Sequence, residues 1–199
     1  MTDFIDGTAS QLSPVLLTRL FNYRYKVFVE TLGWTLPCKK QLEIDAFDHK
    51  DTCYVLALDS CSVIIGCARL LPTSQPYLLS EIFPELLNGM DAPSSPDVWE
   101  LSRFTSMDPR FDISQLPLER SRALLIEAMK VVKRSGGKSL ISVSPIGVER
   151  LLRRVGIQGH RIGPPCRIDG HSLIACWIEL AQNEHLLENK NTDTLTAII

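Results

Sequence analysis

No run in this 199-residue chain reaches the roughly 18 uncharged, apolar residues that a bilayer-spanning helix needs. Excess charge of either sign is also missing: 21 basic and 23 acidic side chains leave a formal net charge of −2. That balance excludes a nucleic-acid binder driven by overall charge, although not a local basic patch. The six cysteines (Cys38, Cys53, Cys61, Cys67, Cys166, Cys176) contain no CxxC pair, and the four histidines (His49, His160, His171, His185) are scattered. A metal site needs clustered ligands, so neither a metal nor another resident cofactor is expected. Several of the cysteines sit in apolar runs and read as reduced thiols of a cytosolic core. The N-terminal MTDFIDGTAS has acids where a signal peptide carries Lys or Arg, and it lacks an apolar run. The expected location is therefore cytoplasmic. Internal repeats and low-complexity segments are absent too.

What is present is an ordinary globular composition, 45% hydrophobic and 22% charged, which excludes intrinsic disorder. One domain over residues 1–199 is expected, with a polar, frayed tail from about Gln182. Ser13-Pro14 marks a helix start, and Val15, Leu16, Leu20, Tyr23, Val27 and Phe28 carry an amphipathic helix to about Val29, ended by Gly33. Residues 34–50 read as a long loop. Strands are expected at Tyr54–Leu58, Ser62–Leu71, Val98–Thr105, Leu140–Ser144, Arg161–Ile168 and Ser172–Leu180. Short helices fall within Tyr77–Leu87 and Gly147–Val155. A longer helix runs from near Pro117 to Arg134, buried through Leu118, Leu125, Met129 and Val132 and stopped by Gly136-Gly137. The order gives a mixed α/β (α+β) domain around one sheet.

The informative residues are charges inside apolar segments. Alternation over Ser62–Leu70 puts Arg69 on a face with Val63, Ile65 and Cys67, where an arginine is costly unless carboxylates meet it. In WELSRF, strict alternation sends Glu100 and Arg103 to opposite faces, and a bulge in that strand would bring them together. Arg24 and Phe28 lie four apart on the first helix and share a side. Asp45 and Asp48 follow in the loop. Residue patterning leaves two readings open: a structural ion-pair network locking a loop to the sheet, or a polar pocket for a charged small molecule. Three arginines and three carboxylates beside Phe28 and Trp34 suit a zwitterion that also carries a cation.

Five segments in fixed order and spacing resemble the acyl-homoserine lactone synthases, the quorum-sensing autoinducer synthases. They are YRYKVFVETLGW (Tyr23–Trp34), IDAFD (Ile44–Asp48), GCARLLPT with PYLL (Gly66–Thr73, Pro76–Leu79), FPELL (Phe83–Leu87) and WELSRF (Trp99–Phe104). The family's recurrent positions fall on Arg24, Phe28, Trp34, Asp45, Asp48, Arg69, Glu100 and Arg103, the residues already singled out by charge.

The resemblance implies a fold similar to the GNAT acyltransferases, with a bulged mixed sheet flanked by helices. It implies two substrates, S-adenosylmethionine and an acyl chain on acyl carrier protein. The substrate amine attacks the thioester, and the carboxylate then closes a lactone with release of methylthioadenosine. On this reading Glu100 is the general base, while Arg24, Asp45, Asp48, Arg69 and Arg103 complete the catalytic pocket. Phe28, Trp34, Ser102 and Arg103 hold S-adenosylmethionine. Ser142, Ser144, Met129 and Leu125 line the acyl pocket, where serine in place of the threonine of several relatives points to an unsubstituted medium chain. Arg150, Arg153, Arg154, Lys133 and Arg134 form a basic patch for the acidic carrier protein. No Gln/Arg-x-x-Gly-x-Gly loop of the acyl-CoA type precedes the helix at Pro117. An N-acyltransferase that stops at the amide and a non-catalytic binding module are the alternatives.

Overall fold

The computed structural model describes residues 2–111 and 118–188, and the chain divides into two compact units. Among the described residues, the first comprises those up to Arg69 together with those of Arg103–Leu124; the second comprises Leu70–Ser102 and residues 125–188.

In the first unit, β1 (Asp3–Thr8) pairs antiparallel with β2 (Cys53–Leu58), from Asp3↔Leu58 to Thr8↔Cys53. Sequence reading misses β1 because only Phe4 of its six residues is buried, so no apolar alternation marks it. Helix α1 (Pro14–Arg24) begins as expected, with Ser13 Oγ accepting the Leu16 N–H at 3.2 Å and Pro14 in the first turn. It does not continue as an α-helix to Val29. Tyr25–Thr31 form a π-helix, and the Leu32 N–H bonds the carbonyl of Val27, five residues back, at 2.9 Å. Such one-turn widenings are frequent at functional sites, and a 3.6-residue period does not reveal them. Gly33 then turns the chain with φ +69, a conformation only glycine adopts without strain. Tyr23, Val27 and Phe28 pack with Tyr54, Leu56, Ile64, Cys67 and Met107 into a core. The Tyr23 hydroxyl donates to the Met107 carbonyl at 2.6 Å.

Strand β3 (Ile64–Pro72) is buried at every residue except Pro72. The expected assignment of Arg69 to one apolar face therefore carries no information, because both faces of this strand are covered. Helix α2 (Leu78–Glu81) and a 3₁₀ turn (Pro84–Leu87) split the expected helical segment. The remaining elements are β4 (Val98–Thr105), α3 (Leu118–Arg134), β5 (Ser139–Pro145), α4 (Val148–Arg154), β6 (His160–Arg161), β7 (Cys166–Ile168), β8 (His171–Glu179) and α5 (Glu184–Leu187). The strands form a mixed sheet in the order β1-β2-β3-β4-β5-β8-β6, with β7 on β8.

Strand β4 runs parallel to β5, as a helical crossover through α3 requires, over three pairs from Val98↔Ser139 to Glu100↔Ile141. Strand β5 pairs antiparallel with β8 along its full length, to Pro145↔Leu173. Within the second unit, Ile141 and Ala175 of these strands pack beneath Tyr77, Leu79, Leu86 and Leu87. The single strand expected at Arg161–Ile168 is two, because Pro164 and Pro165 supply no N–H to a ladder. The tail from Gln182 is docked rather than frayed as far as Glu188. Buried Asn183 donates to the carbonyls of Gln158 (2.9 Å) and Glu179 (2.8 Å) and accepts the Gln158 N–H (2.8 Å). Pro117 and residues 189–199 lie outside the described residues.

All six cysteines are free thiols, but only Cys53, Cys67 and Cys176 are buried, so the core reading applies to half of them. Among the described residues no helix is long and apolar enough to cross a membrane.

Gly137 ends the turn after α3 in close contact with its own unit. A Cβ there would sit 2.4 Å from Val132 Cγ1 and 2.7 Å from Trp99 Cδ1. Gly137→Ala is expected to cost about 1–3 kcal/mol, the range for overpacking. Thermal unfolding checks this, and an unchanged melting temperature would show that the contact relaxes freely.

Candidate active site

Arg24, at the end of α1, is fully buried in the first unit, and each of its guanidinium nitrogens donates to a carboxylate. Nε donates to Glu43 Oε2 at 2.5 Å, while Nη1 and Nη2 form a fork on Asp48 at 2.7 and 2.9 Å. Arg69 Nη1 donates to Asp45 Oδ1 at 2.5 Å and lies 3.2 Å from Asp48 Oδ1. Arg103 grips Glu43 through Nε (3.2 Å) and Nη2 (3.0 Å), and Nη2 also reaches Asp45 Oδ2 at 2.7 Å. Bidentate, charge-assisted bonds of this kind are what make burial of six ionised groups tolerable.

The loop supplies its carboxylates in a conformation set by its own residues. Asp48 Oδ2 accepts the Asp45 N–H, and Asp45 Oδ1 accepts the Phe47 N–H, both at 2.9 Å. Tyr54 on β2 donates its hydroxyl to Asp48 Oδ1 at 2.8 Å. Two members of this constellation, Glu43 and Tyr54, are missed by sequence reasoning. Glu43 lies one residue before the IDAFD segment, in a Glu-x-Asp-x-x-Asp spacing, and that spacing is the signal that points to it. Nothing in the apolar run CYVLAL distinguishes Tyr54.

WELSRF departs from regular strand geometry at Arg103, which takes φ +49 inside β4 and turns its guanidinium to Glu43 and Asp45 instead of the Glu100 partner expected. A left-handed, non-glycine residue in a strand is costly and breaks the alternation. The Cys67 thiol donates to the Arg103 carbonyl at 3.2 Å. The Phe28 and Trp34 rings stack with centroids 4.8 Å apart, and the Arg103 guanidinium carbon lies 5.8 Å from the first centroid and 5.9 Å from the second. Phe28 is buried and Trp34 is exposed. Asp45 is the most open of the three carboxylates, with 20% side-chain exposure against 1–2% for Asp48 and Glu43.

Glu100 belongs to the second unit and is completely buried. Its carboxylate accepts the backbone N–H groups of Leu78 (3.0 Å) and Leu79 (2.7 Å) at the start of α2. Ser102 is buried on the same strand. Ser142 and Ser144 share one face of β5, with hydroxyls 3.0 Å apart, and Met129 and Leu125 of α3 are buried. Arg150, Arg153 and Arg154 are exposed on α4, as is Arg134. Lys133 is bonded to Glu184 of α5, which reduces what it offers to a partner.

Burial alone would raise the carboxyl groups of the cluster. The Arg24 hydrogen bonds and charge, aided by Arg69, instead hold Asp48 well below the usual carboxylate range. Against the same burial, the charge and hydrogen bond of Arg24, together with Arg103, lower Glu43. Groups depressed in the folded state contribute stability above their unfolded pKa and lose it as acid protonates them. Unfolding free energy is thus expected to be level above about pH 5 and to fall progressively below it. Denaturant titrations across pH check the sign, and stability flat down to pH 3 would contradict it. Arg69→Ala leaves Asp45 and Asp48 short of a cation and is expected to cost about 3–5 kcal/mol, which the same titrations measure at neutral pH.

The autoinducer synthase family matches this chain over residues 9–186. An acyl-homoserine-lactone synthase of Acinetobacter nosocomialis is 52% identical over 182 residues, covering 89% of this chain and 100% of that protein. The crystal structure of TofI in a ternary complex with an inhibitor and MTA superposes with a TM-score of 0.82 at 42% identity, over 94% of this chain and 96% of that one. A CoA-dependent acyl-homoserine lactone synthase, BjaI, solved with SAM and isopentyl-CoA, shares the fold at 23% identity (TM-score 0.84, 99% and 93% covered). A protein from Lactobacillus plantarum described as a putative N-acetyltransferase does so at 18% (TM-score 0.59, 90% and 98% covered), in accord with the GNAT-like expectation for the fold. The chain belongs to the autoinducer synthase family, the acyltransferase-type enzymes named acyl-homoserine-lactone synthases.

Proposed function

We propose that this chain joins an acyl group, carried on acyl carrier protein, to the amine of S-adenosylmethionine and closes the product to an acyl-homoserine lactone. The observation that carries the reading is the contact of the Arg103 guanidinium with both the carboxylate cluster and the Phe28–Trp34 stack. S-adenosylmethionine brings an ammonium, a carboxylate and a sulfonium. A partly open Asp45 suits the first, guanidinium groups suit the second, and an exposed aromatic face suits the third. The MTA held by TofI is what that substrate leaves behind when its γ-carbon–sulfur bond breaks.

The amine enters as an ammonium and must lose a proton before attack. Glu100 takes that proton through water, since both of its oxygens already accept backbone N–H groups and the side chain is fully buried. The nitrogen forms a bond to the thioester carbonyl, whose C–S bond breaks and releases the carrier thiol. The substrate carboxylate then displaces neutral methylthioadenosine from the γ-carbon. This second step is intramolecular, so the pocket contributes chiefly by holding the chain folded. No acyl-enzyme is required, which accords with the buried Cys67 thiol, pushed up to about 12 by desolvation and so unsuited to attack.

Exposed Arg150, Arg153 and Arg154 suit an acidic carrier protein, and the sequence lacks an acyl-CoA pyrophosphate loop. One of the Ser142 and Ser144 hydroxyls donates to the other at 3.0 Å, and serine at these positions is read as favouring an acyl chain without a 3-substituent. A cytoplasmic site of action follows from these soluble substrates.

Mass spectrometry of the protein incubated with S-adenosylmethionine and acyl carrier proteins from C4 to C14 is expected to show methylthioadenosine and one dominant lactone. Amide without methylthioadenosine would make it an acyltransferase that stops halfway, and turnover only with acyl-CoA would replace the donor. Glu100→Gln can accept only one of the two backbone N–H groups, so it is expected to lose about 1–3 kcal/mol of stability. Below its melting transition it should make lactone at least about 100-fold more slowly. A folded variant with the wild-type rate would remove Glu100 as the base.

A further inference from the structure

We infer that Tyr77 is a positioning residue for Glu100: it anchors the turn that holds the Glu100 carboxylate, and so tunes the group that takes the amine's proton. The inference rests on the proposed role of Glu100 as base and goes beyond it by naming the residue through which the second unit sets that base.

Each oxygen of Glu100 accepts a backbone N–H, that of Leu78 at 3.0 Å and that of Leu79 at 2.7 Å. Bonds of this kind favour the ionised carboxylate, so their geometry governs how readily it takes a proton. Helix α2, which supplies them, has four residues and is too short to hold its shape by its own hydrogen bonds. Its first N–H groups are placed by whatever fixes Tyr77, the residue before them. Tyr77 is extended (φ −140, ψ 162), and the Leu78 N–H lies in the peptide plane that this ψ orients. The carbonyl of the same plane accepts the Glu81 N–H at 3.1 Å and the Ser80 hydroxyl at 3.0 Å.

The Tyr77 side chain fastens that plane to the rest of the unit. It is 2% exposed and belongs to the core cluster of Leu79, Leu86, Ile141 and Ala175. Its hydroxyl donates to the Pro93 carbonyl at 2.9 Å. Pro93 lies in the loop that leads into β4, and this loop is itself held. Thr73 Oγ1 donates to the Ser95 carbonyl at 3.0 Å and accepts the Ser95 N–H at 3.2 Å, while the Thr73 N–H donates to the Val98 carbonyl at 2.9 Å. Val98 opens the strand that carries Glu100. The hydroxyl therefore closes a ring of bonds from β4 through the loop to α2 and back to the carboxylate. Burial, together with the charges of Glu100 and Glu81, pushes this hydroxyl up to about 12, so it stays a donor across the whole range of carboxylate titration.

Tyr77→Phe keeps the ring and removes only the anchor. With α2 held less tightly the two N–H bonds loosen, and the carboxylate keeps its proton to higher pH. Nuclear magnetic resonance of the Leu78 and Leu79 amides against pH reads this without substrate, because an N–H bonded to a carboxylate shifts as that carboxylate titrates. The midpoint is expected to move up by about half a pH unit or more, as for partial loss of one hydrogen bond. The acid limb of kcat/KM should move with it. Asn183→Ala removes three hydrogen bonds from the same unit, none of them to α2. It should lower the melting temperature and leave both midpoints in place. An unmoved amide midpoint in folded Tyr77→Phe overturns the inference. So does an equal move in Asn183→Ala, which would make the effect one of general stability. If Tyr77→Phe does not fold, Pro93→Gly, which frees the loop carrying the acceptor carbonyl, takes its place with the same readings. An amide midpoint that moves while the acid limb stays would uphold Tyr77 as the anchor of the carboxylate and overturn Glu100 as the base.

Discussion

Three guanidinium groups buried in the first unit force carboxylates to meet them, and the local structure around the site follows from that demand. An isolated buried charge costs several kcal/mol or more, so a chain containing Arg24, Arg69 and Arg103 folds only if the loop between α1 and β2 brings acids inward. That loop is largely exposed, yet Glu43 within it is as buried as a core leucine. The self-bonded turn at Asp45–Asp48 and the Tyr54 hydroxyl then fix the acids before any ligand arrives. Such preorganisation is the condition under which electrostatics aid a reaction instead of merely responding to it.

The same demand explains the irregular backbone near the site. A regular helix through Thr31 and a regular strand through Arg103 would point side chains elsewhere, and both elements depart from regularity here. The π-helix carries Phe28, against which Trp34 stacks after the Gly33 turn. The left-handed residue in β4 carries the guanidinium that both rings touch. Irregularity at these two places is stabilised by the surrounding bonds, and it coincides with the residues given to substrate in the proposed mechanism.

Much of this was readable in advance, and the failures have physical causes. Ser13-Pro14, Gly33 and the glycines after α3 mark element ends through local stereochemistry, which a sequence displays directly. Arg24, Arg69, Arg103, Asp45 and Asp48 stand out because charge in an apolar context must be matched. Strand β1 escaped notice because an edge strand with one buried residue has no pattern to detect. The alternation that put Arg69 on an apolar face is uninformative, because a two-residue period has meaning only when one face of a strand is wet. Glu43 is missed because it stands one residue outside the IDAFD segment, although its spacing to Asp45 and Asp48 points to it. The carboxylate of Glu100 went to the backbone of α2, a contact between segments more than twenty residues apart that no spacing rule anticipates.

The central claim is that the cluster in the first unit and its aromatic pair receive S-adenosylmethionine. Hydrogen–deuterium exchange with and without that ligand tests it most directly, because loop amides report ordering on the timescale of local opening. The account predicts new protection concentrated in residues 27–48 and around Arg103, with β1 and α4 unchanged. Protection confined to other segments, or none at saturating ligand, would contradict it and leave the buried ion pairs as a device for stability alone.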